Sequence, residues 1–376
     1  MKSKVLWLLV NNNKNSILHL SLIPQVGPAT VAKLVERIGI DNMHTIYAYR
    51  FEDFVRMGLS PHAARLVCDG LASKKIVDDE LQLCEKHAIK WTTVYAVDYP
   101  VLLRHITLPP SVLYWRGGSF EHYPKMVAVV GSRSANNYGE SVIQQVVPEL
   151  VKSGWTIVSG GALGADSMAH KAAIAAGGTT VAIIGAGLLR PYPLSHKSLF
   201  EKIIETGGMY VSPFPLTMSA LPGNFPARNR IISGMCKGVV VVQAAYESGT
   251  RTTALYALEQ GREVCAVPGR IDDPLSSGCH RLINEGATLI TQASDVLSTL
   301  GDSNVQRYAT KVVQDCVQQK IPCDDPIVRA CQQSISFDEL LQFVPNHADL
   351  HERLCALQFE GVIEQDFMGR WRVASR

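Results

Sequence analysis

Five short apolar runs between residues 126 and 270 constrain this chain more than any other feature. They cover residues 126–130, 155–158, 180–184, 238–242 and 263–267. Each is continuously apolar and rich in β-branched residues, which is the pattern of parallel strands covered on both faces. Helical segments, residues 140–152 and 252–260 among them, lie between most of the runs. The pattern predicts an α/β domain with a doubly wound, mainly parallel sheet. In such a sheet the ligand sits beyond the carboxyl ends of the strands. Those ends read Gly131-Ser132-Arg133, Ser159-Gly160-Gly161, Gly185-Ala186-Gly187, Ser248-Gly249-Thr250 and Pro268-Gly269-Arg270. Small residues with free backbone N–H groups near helix N-termini suit a bound phosphate.

Composition sets the frame for that site. With 376 residues the chain has room for two or three domains, and 47% apolar against 19% charged residues predicts an ordinary folded core. The formal net charge is only +2, so a polyanion site must come from local clustering of basic groups. The nine cysteines show no Cys-x-x-Cys and no Cys/His spacing of the zinc type. They read as reduced core residues of a cytosolic protein, with no metal or cofactor called for. The apolar run at residues 5–10 is too short for a signal-peptide core, and no run approaches a membrane span. A soluble, cytoplasmic protein is expected, with no membrane partner.

Around the central region the chain divides into further units. Residues 1–80 read as a helical domain. Val26-Gly27-Pro28 opens an amphipathic stretch in the manner of a helix-hairpin-helix, and a fainter copy recurs at Met57-Gly58-Leu59-Ser60-Pro61. Such a turn can offer N–H groups to a phosphate or serve packing alone. Residues 81–300 hold the sheet domain, preceded by a Pro- and aromatic-rich connector in which residues 112–117 read as an edge strand. Residues 301–320 are polar and read as a linker. In residues 321–376, three helical patterns at 326–332, 337–343 and 347–361 precede two short strands flanking a turn at Met368-Gly369. Asp325 and Ser336 are helix caps for the first two. That order is a winged-helix arrangement, but Asp349 and Glu352 lie on the face of the third helix that would read a major groove.

Three loops carry the chemistry. In Gly131-Ser132-Arg133, glycine allows close backbone approach, serine offers a hydroxyl and arginine binds phosphate bidentately. In residues 221–233, two prolines bracket Phe225 on what reads as a stiff loop, so that a base can stack on its face. Arg228, Asn229 and Arg230 follow. The two arginines cannot face the same way on a helix, so one turns to ligand while the other makes an internal pair. In Ser248-Gly249-Thr250-Arg251, hydroxyls and N–H groups gather at a helix N-terminus. Asp166 and His170 lie four apart and read as a helix-start cap and a packed side chain rather than as an acid/base or metal pair, because no third ligand is near. No Gly-Lys-Ser/Thr is present to hold a nucleoside triphosphate, and no catalytic residue is assigned.

Taken together these residues resemble the bacterial DNA-processing protein A (Smf) family. The resemblance rests on Gly131-Ser132-Arg133, Ser159-Gly160-Gly161-Ala162, Tyr192-Pro193, the run from Phe225 through Ile232, Ser248-Gly249 and Pro268-Gly269, and it covers roughly residues 95–290. It implies an extended Rossmann-like domain flanked by an N-terminal SAM-like helical domain and a C-terminal winged helix. It also implies a non-enzymatic protein that binds single-stranded DNA, forms a homodimer, protects incoming DNA and loads a RecA-type recombinase during natural transformation. The DNA-binding set is then Gly131, Ser132, Arg133, Ser159, Gly160, Gly161, Phe225, Arg228, Asn229, Arg230, Ser248, Gly249, Thr250 and Arg251. Departures from the family pattern are Leu163 for arginine, Pro213 for glutamate, Arg251 for an apolar residue and Gln243 for glutamate. The competing expectation is a nucleotide-processing hydrolase of the phosphoribohydrolase type. Its hallmark glutamate, on the helix after the glycine turn, has no counterpart in the first helical turn after Gly249.

Overall fold

A computed structural model of the chain describes residues 2–302, 325–344, 346–359, 362–366 and 370–374. They fall into two compact units divided between Ser303 and Asn304.

The first unit opens with five helices: α1 (Lys2–Leu22), α2 (Pro28–Ile38), α3 (Phe51–Arg56), α4 (Pro61–Leu71) and α5 (Lys75–Lys86). Helix α2 buries Val31, Leu34, Val35 and Ile38, the i, i+3, i+4, i+7 stripe of an amphipathic helix. Pro28 and Pro61 stand in the first turns of α2 and α4, where a missing N–H costs nothing. Lys33 donates to the carbonyl of Gly58, which ties the two hairpin turns together. The N–H of Val26 donates to Ile23 O at 3.1 Å, so it is not free for a ligand.

The sheet follows. Its elements are β1 (Lys90–Thr93), α6 (Val101–Arg104), β2 (Val112–Gly117), β3 (Met126–Val130), α7 (Asn137–Lys152), β4 (Thr156–Ser159), α8 (Ala165–Ala175), β5 (Thr180–Ile183), α9 (Lys197–Glu205), β6 (Met209–Ser212), α10 (Asn224–Met235), β7 (Gly238–Val241), α11 (Gly249–Glu259), β8 (Glu263–Ala266), α12 (Ser277–Asn284), β9 (Thr288–Leu289) and α13 (Ala293–Thr299). The strand order is β1-β2-β6-β5-β4-β3-β7-β8-β9. The β1–β2 and β2–β6 pairs are antiparallel and the rest parallel. From β3 the chain steps outward through β4, β5 and β6, then returns to place β7 on the other side of β3. With right-handed crossovers this puts α7, α8 and α9 on one face and α10, α11 and α12 on the other. The loops after β3 and β7 therefore leave toward opposite faces and open a crevice between them, the switch point of a doubly wound sheet.

Two expectations are corrected here. Residues 112–117 are not an edge strand, because β1 pairs along them, with Trp91 opposite Tyr114. Residues 224–235 are helical rather than a loop. Pro222 lies outside the helix, and Pro226 sits in the first turn, where N–H groups have no intrahelical partner to lose.

The second unit has α14 (Pro326–Ala330), α15 (Phe337–Leu340), α16 (His347–Phe359) and an antiparallel ribbon of β10 (Ile363–Gln365) and β11 (Trp371–Val373). Asp325 caps α14 through the Ile327 N–H at 2.9 Å, and Ser336 and Glu339 form a reciprocal capping box on α15. Ile327, Cys331, Leu340, Leu350, Leu354, Leu357, Ile363 and Trp371 make its core. The linker residues 303–320 and the turn at Met368-Gly369 lie outside the described residues. Of the seven described cysteines, five are buried and none is bridged. No described helix is long and apolar enough to cross a membrane, and no cluster of metal-ligating side chains occurs among the described residues.

Two buried polar groups hold the first unit together and make testable demands. Glu80 on α5 is 6% exposed and accepts the Leu216 N–H at 2.8 Å, which ties the helical segment to the loop after β6. Glu80→Ala leaves that N–H buried and unpaired and is expected to cost about 1–3 kcal/mol, whereas Glu80→Gln keeps an acceptor and costs less. Calorimetric melting of the three proteins decides it, and an unchanged Glu80→Ala melting temperature refutes the tie.

His170 on α8 is fully buried, and its Nδ1 lies 2.7 Å from Thr180 Oγ1. The single hydroxyl hydrogen of Thr180 goes to Ile157 O at 2.7 Å, so Thr180 accepts from His170 and the ring is the Nδ1–H tautomer. Burial, with positive charge at His196 and Arg228, pushes the imidazole down to about 3. Between that value and its ordinary range the unfolded chain binds a proton that the native one does not. The contribution is therefore complete above pH about 6.5 and is lost as pH falls toward 3. Stability of the parent is expected to fall more steeply below pH about 6 than that of His170→Asn, by up to about 1.4 kcal/mol per pH unit. Equal slopes in denaturant titrations at pH 7, 6 and 5 count against a buried neutral His170.

Candidate nucleic-acid interface

The loop after β3 is locked by backbone bonds. The Ser132 N–H donates to Gln243 O at 2.7 Å, its carbonyl accepts the Ala165 N–H at 3.1 Å, and its hydroxyl accepts the Ser134 N–H at 3.1 Å. The Ser132 N–H is thus engaged, contrary to the expectation of a free donor. Gly164, at φ +72°, backs the loop so closely that a Cβ would stand 2.4 Å from Ser132 O. Fixed this way, the loop presents Arg133 at the surface, with its guanidinium 5.2 Å above the Phe225 ring. Gln243 donates to Asn136 Oδ1 at 3.0 Å and accepts the Asn136 N–H at 3.1 Å. A carboxylate cannot donate, so the amide completes a pair that a glutamate leaves half made.

Behind the loop lies a buried ion pair. Arg228, in the second turn of α10, is 5% exposed, and Asp166, in the first turn of α8, is 6% exposed. Their nearest N and O atoms are 3.8 Å apart. Gly160 makes room, since a Cβ there would fall 1.5 Å from Arg228 Nη1. Burial lifts the Asp166 carboxyl above its usual range, against the pull of Arg228 and of the Ala162 N–H at 3.3 Å. Burial also weighs on Arg228, yet a guanidinium remains cationic because its ordinary pKa is so high. Its Nε is buried without a hydrogen-bond partner, and so is Ser248 Oγ.

Both atoms belong to residues lining one cavity of about 420 Å³ at the switch point. Gly131, Ser132 and Arg133 form one wall, Phe225, Arg228 and Asn229 another, and Ser248, Gly249 and Thr250 a third, with Asp166, Thr252 and Thr253 between them. The N-terminus of α11 opens onto it, where first-turn N–H groups and the helix dipole favour an anion. Asn229 Nδ2 donates to Gly249 O at 3.3 Å and joins the second and third walls.

Nine of the fourteen residues singled out in the sequence therefore meet in one place. The other five are engaged elsewhere. Ser159 donates to Val129 O at 2.7 Å inside the sheet. Gly160 provides the gap for the ion pair, and the Gly161 carbonyl lies 3.0 Å from His196 Nδ1. Arg230 donates to the carbonyls of Thr107 and Leu108, fastening α10 to the connector. Arg251 faces Glu285 at 3.6 Å, which also accepts from Arg281 at 2.7 Å. Two features were not legible in the sequence. Asp166 is the countercharge of Arg228, a pairing across 62 positions that no local pattern announces. Tyr192 packs beside Phe225 with ring centroids 5.7 Å apart, and only the Tyr-Pro motif marked it.

A model of the DNA recombination-mediator protein A family matches residues 90–301, which include every residue of the cavity wall. Protein Smf of Escherichia coli is 46% identical over 202 residues, 54% of this chain and 54% of that one, so the match spans about half the relative's length. DNA processing protein DprA of Bacillus subtilis is 38% identical over 222 residues, 59% of this chain and 74% of that one. The X-ray structure of DNA processing protein A from Streptococcus pneumoniae superposes with a TM-score of 0.66 at 33% identity, covering 76% of this chain and 97% of that chain. The family model covers more than half of the chain, and the chain belongs to the DNA recombination-mediator protein A family.

Proposed function

We propose that the protein binds single-stranded DNA, with a backbone phosphate seated in the switch-point cavity. The observation that carries this is the convergence of a buried arginine with an unpartnered Nε, an unpartnered serine hydroxyl and the N-terminus of α11 on one cavity. An anion satisfies all three at once. Exposed Arg133 beside an aromatic at the rim suits a flexible strand whose bases can turn outward. In the second unit, Asp349 on α16 is exposed, a poor complement to a duplex groove. Family membership extends the reading to DNA processing in transformation, with protection of incoming strands and delivery to a RecA-type recombinase by a cytoplasmic homodimer whose C-terminal unit is a winged helix. The role is non-enzymatic. A phosphoribohydrolase needs a carboxylate on the first turn of α11, and residues 249–252 read Gly-Thr-Arg-Thr.

Oligo-dT is expected to bind more tightly than duplex of equal length, and to weaken as salt rises because phosphate contacts release counterions. Arg133→Ala is expected to cost about 1–3 kcal/mol of binding and to lower the salt slope by about one unit. Arg228→Ala alone strands the Asp166 carboxyl and is expected to destabilise the fold by about 3–5 kcal/mol. The informative variant is therefore Arg228→Gln with Asp166→Asn, which removes both charges together. It is expected to fold and to bind oligo-dT weakly. Fluorescence anisotropy against salt, with melting temperatures, reads all of this. Parent-like binding by both Arg133→Ala and the folded double variant places the phosphate elsewhere.

A further inference from the structure

The second unit carries a groove of its own. A cavity of about 310 Å³ opens between the start of α14 and the first two turns of α16, lined among the described residues by Asp325, Pro326, Ile327, Val344, Asp349 and Arg353. Pro326, Val344 and the buried Ile327 make it apolar within. Asp325 offers no free charge, because its carboxylate accepts the Ile327 N–H at 2.9 Å and Arg353 Nη2 at 2.8 Å. Asp349 differs. It is exposed, and no described residue pairs with it. Phe343, next in the chain to Val344, is 49% exposed. We propose that this groove docks a linear segment of a protein partner in which an apolar side chain stands beside lysine or arginine. The apolar group enters against Ile327 and Val344, and the cation meets Asp349. The inference concerns the second unit alone and does not rest on the single-strand reading.

Charge selects the partner. Residues 325–376 hold eight Asp and Glu against five Arg and no Lys, so the unit is acidic. Three of its four described arginines are already paired with carboxylates. Arg353 meets Asp325 at 2.8 Å, Arg370 meets Glu339 at 3.4 Å, and Arg372 meets Glu364 at 2.8 Å. Asp338 and Asp349 are exposed without a described partner, so the charge left over there is negative. A nucleic-acid backbone laid on this face meets carboxylates where it needs cations. A basic segment finds the complementary sign instead, and such complementarity both attracts the right partner and repels the wrong one. Size sets the form of the occupant. The cavity stands at the small end of the range of about 300–1,000 Å³ that ligand sites span. It has room for one or two apolar side chains, which suits a linear motif anchored by its side chains rather than the flat face of a folded domain. The exposed ring of Phe343 extends the apolar surface, and aromatic residues are favoured where proteins meet.

The test selects from a displayed library of random linear peptides on the immobilised full chain. Recovered peptides are measured by fluorescence anisotropy against the parent, Val344→Asp, Asp349→Asn and Asp349→Lys, with melting temperatures recorded for each. The recovered peptides are expected to share an apolar residue beside lysine or arginine. Val344→Asp, which sets a charge in the groove, is expected to abolish their binding. Asp349→Asn is expected to weaken it about two- to fivefold, the worth of an exposed ion pair, and Asp349→Lys by more than about tenfold, because like charges then face each other. Charge exchange separates a contact from a folding defect. A recovered peptide remade with glutamate for its basic residue is expected to bind Asp349→Lys more tightly than it binds the parent. Recovery of no peptide, of peptides without basic residues, or of peptides that bind Asp349→Lys as they bind the parent overturns the proposal. Duplex DNA binding by the full chain is followed alongside. Val344→Asp is expected to leave it at the parental level, and a loss there assigns the groove to nucleic acid and overturns the proposal as well.

Discussion

The pairing of Arg228 with Asp166 is the interaction on which the rest of this site depends. A guanidinium 5% exposed and a carboxylate 6% exposed are affordable inside a protein only together. Each comes from a different helix, on opposite faces of the sheet, and they meet through the gap at Gly160 where β4 ends. That gap exists because two strand ends diverge at the switch point. The pair therefore joins the starts of α8 and α10 and sets the floor of the cavity between β3 and β7. At 3.8 Å the pair leaves Arg228 Nε without an internal partner, so the cation is neutralised in part and remains able to receive an anion. A tighter bidentate pair would stabilise the floor more and bind less.

The four residues that the resemblance marks as departures, Leu163, Pro213, Gln243 and Arg251, fall outside the cavity wall. Gln243 is the donor–acceptor partner of Asn136, which in turn caps α7. Arg251 turns toward Glu285, the residue that follows α12 and also pairs with Arg281. Pro213 follows Ser212, whose hydroxyl accepts the Phe214 N–H at 3.0 Å and donates to Ala186 O at 2.7 Å, and the next free N–H of that loop, Leu216, finds its acceptor in Glu80. Leu163 is half exposed and nothing in the structure explains it. Changes of charge at these places leave the anion-receiving groups untouched, because none of the four residues lines the cavity. Their effect is on how the surrounding elements are held.

The parallel core was legible because burial on both faces leaves strands few polar positions, so 126–130, 155–158, 180–184, 238–242 and 263–267 stand out by composition alone. The structure's β1 was not, because it reads Lys-Trp-Thr-Thr, with too little apolar character to signal a strand, and β6 was not assigned either. Helix α10 was hidden by Pro222 and Pro226, which read as loop residues, although a proline in the first helical turn loses no hydrogen bond. Among the arginines, type and position predicted which loops mattered but not where each guanidinium points. Arg230 and Arg228 differ by two positions, which on a helix is more than half a turn. One is therefore bound to carbonyls of the connector and the other to the cavity floor.

The same reasoning explains why the site divides its labour between inside and rim. Inside, the donors and cations that face the cavity are held by short connections: a locked β3 loop, a buried arginine and a helix terminus, with Asp166 as the countercharge. Such groups recognise phosphate, which every nucleotide carries, and they cannot tell one base from another. Beside them stand the Phe225 and Tyr192 rings and the surface Arg133, and on the function proposed above such faces would meet bases through stacking rather than through hydrogen-bond patterns. An arrangement of this kind sacrifices sequence discrimination and gains indifference to it, and it requires the bases to be unpaired, since a duplex keeps its base faces covered. On the function proposed above, a preference for single strands would follow from where the aromatic surface lies relative to the buried cation, and not from any element shaped to a groove.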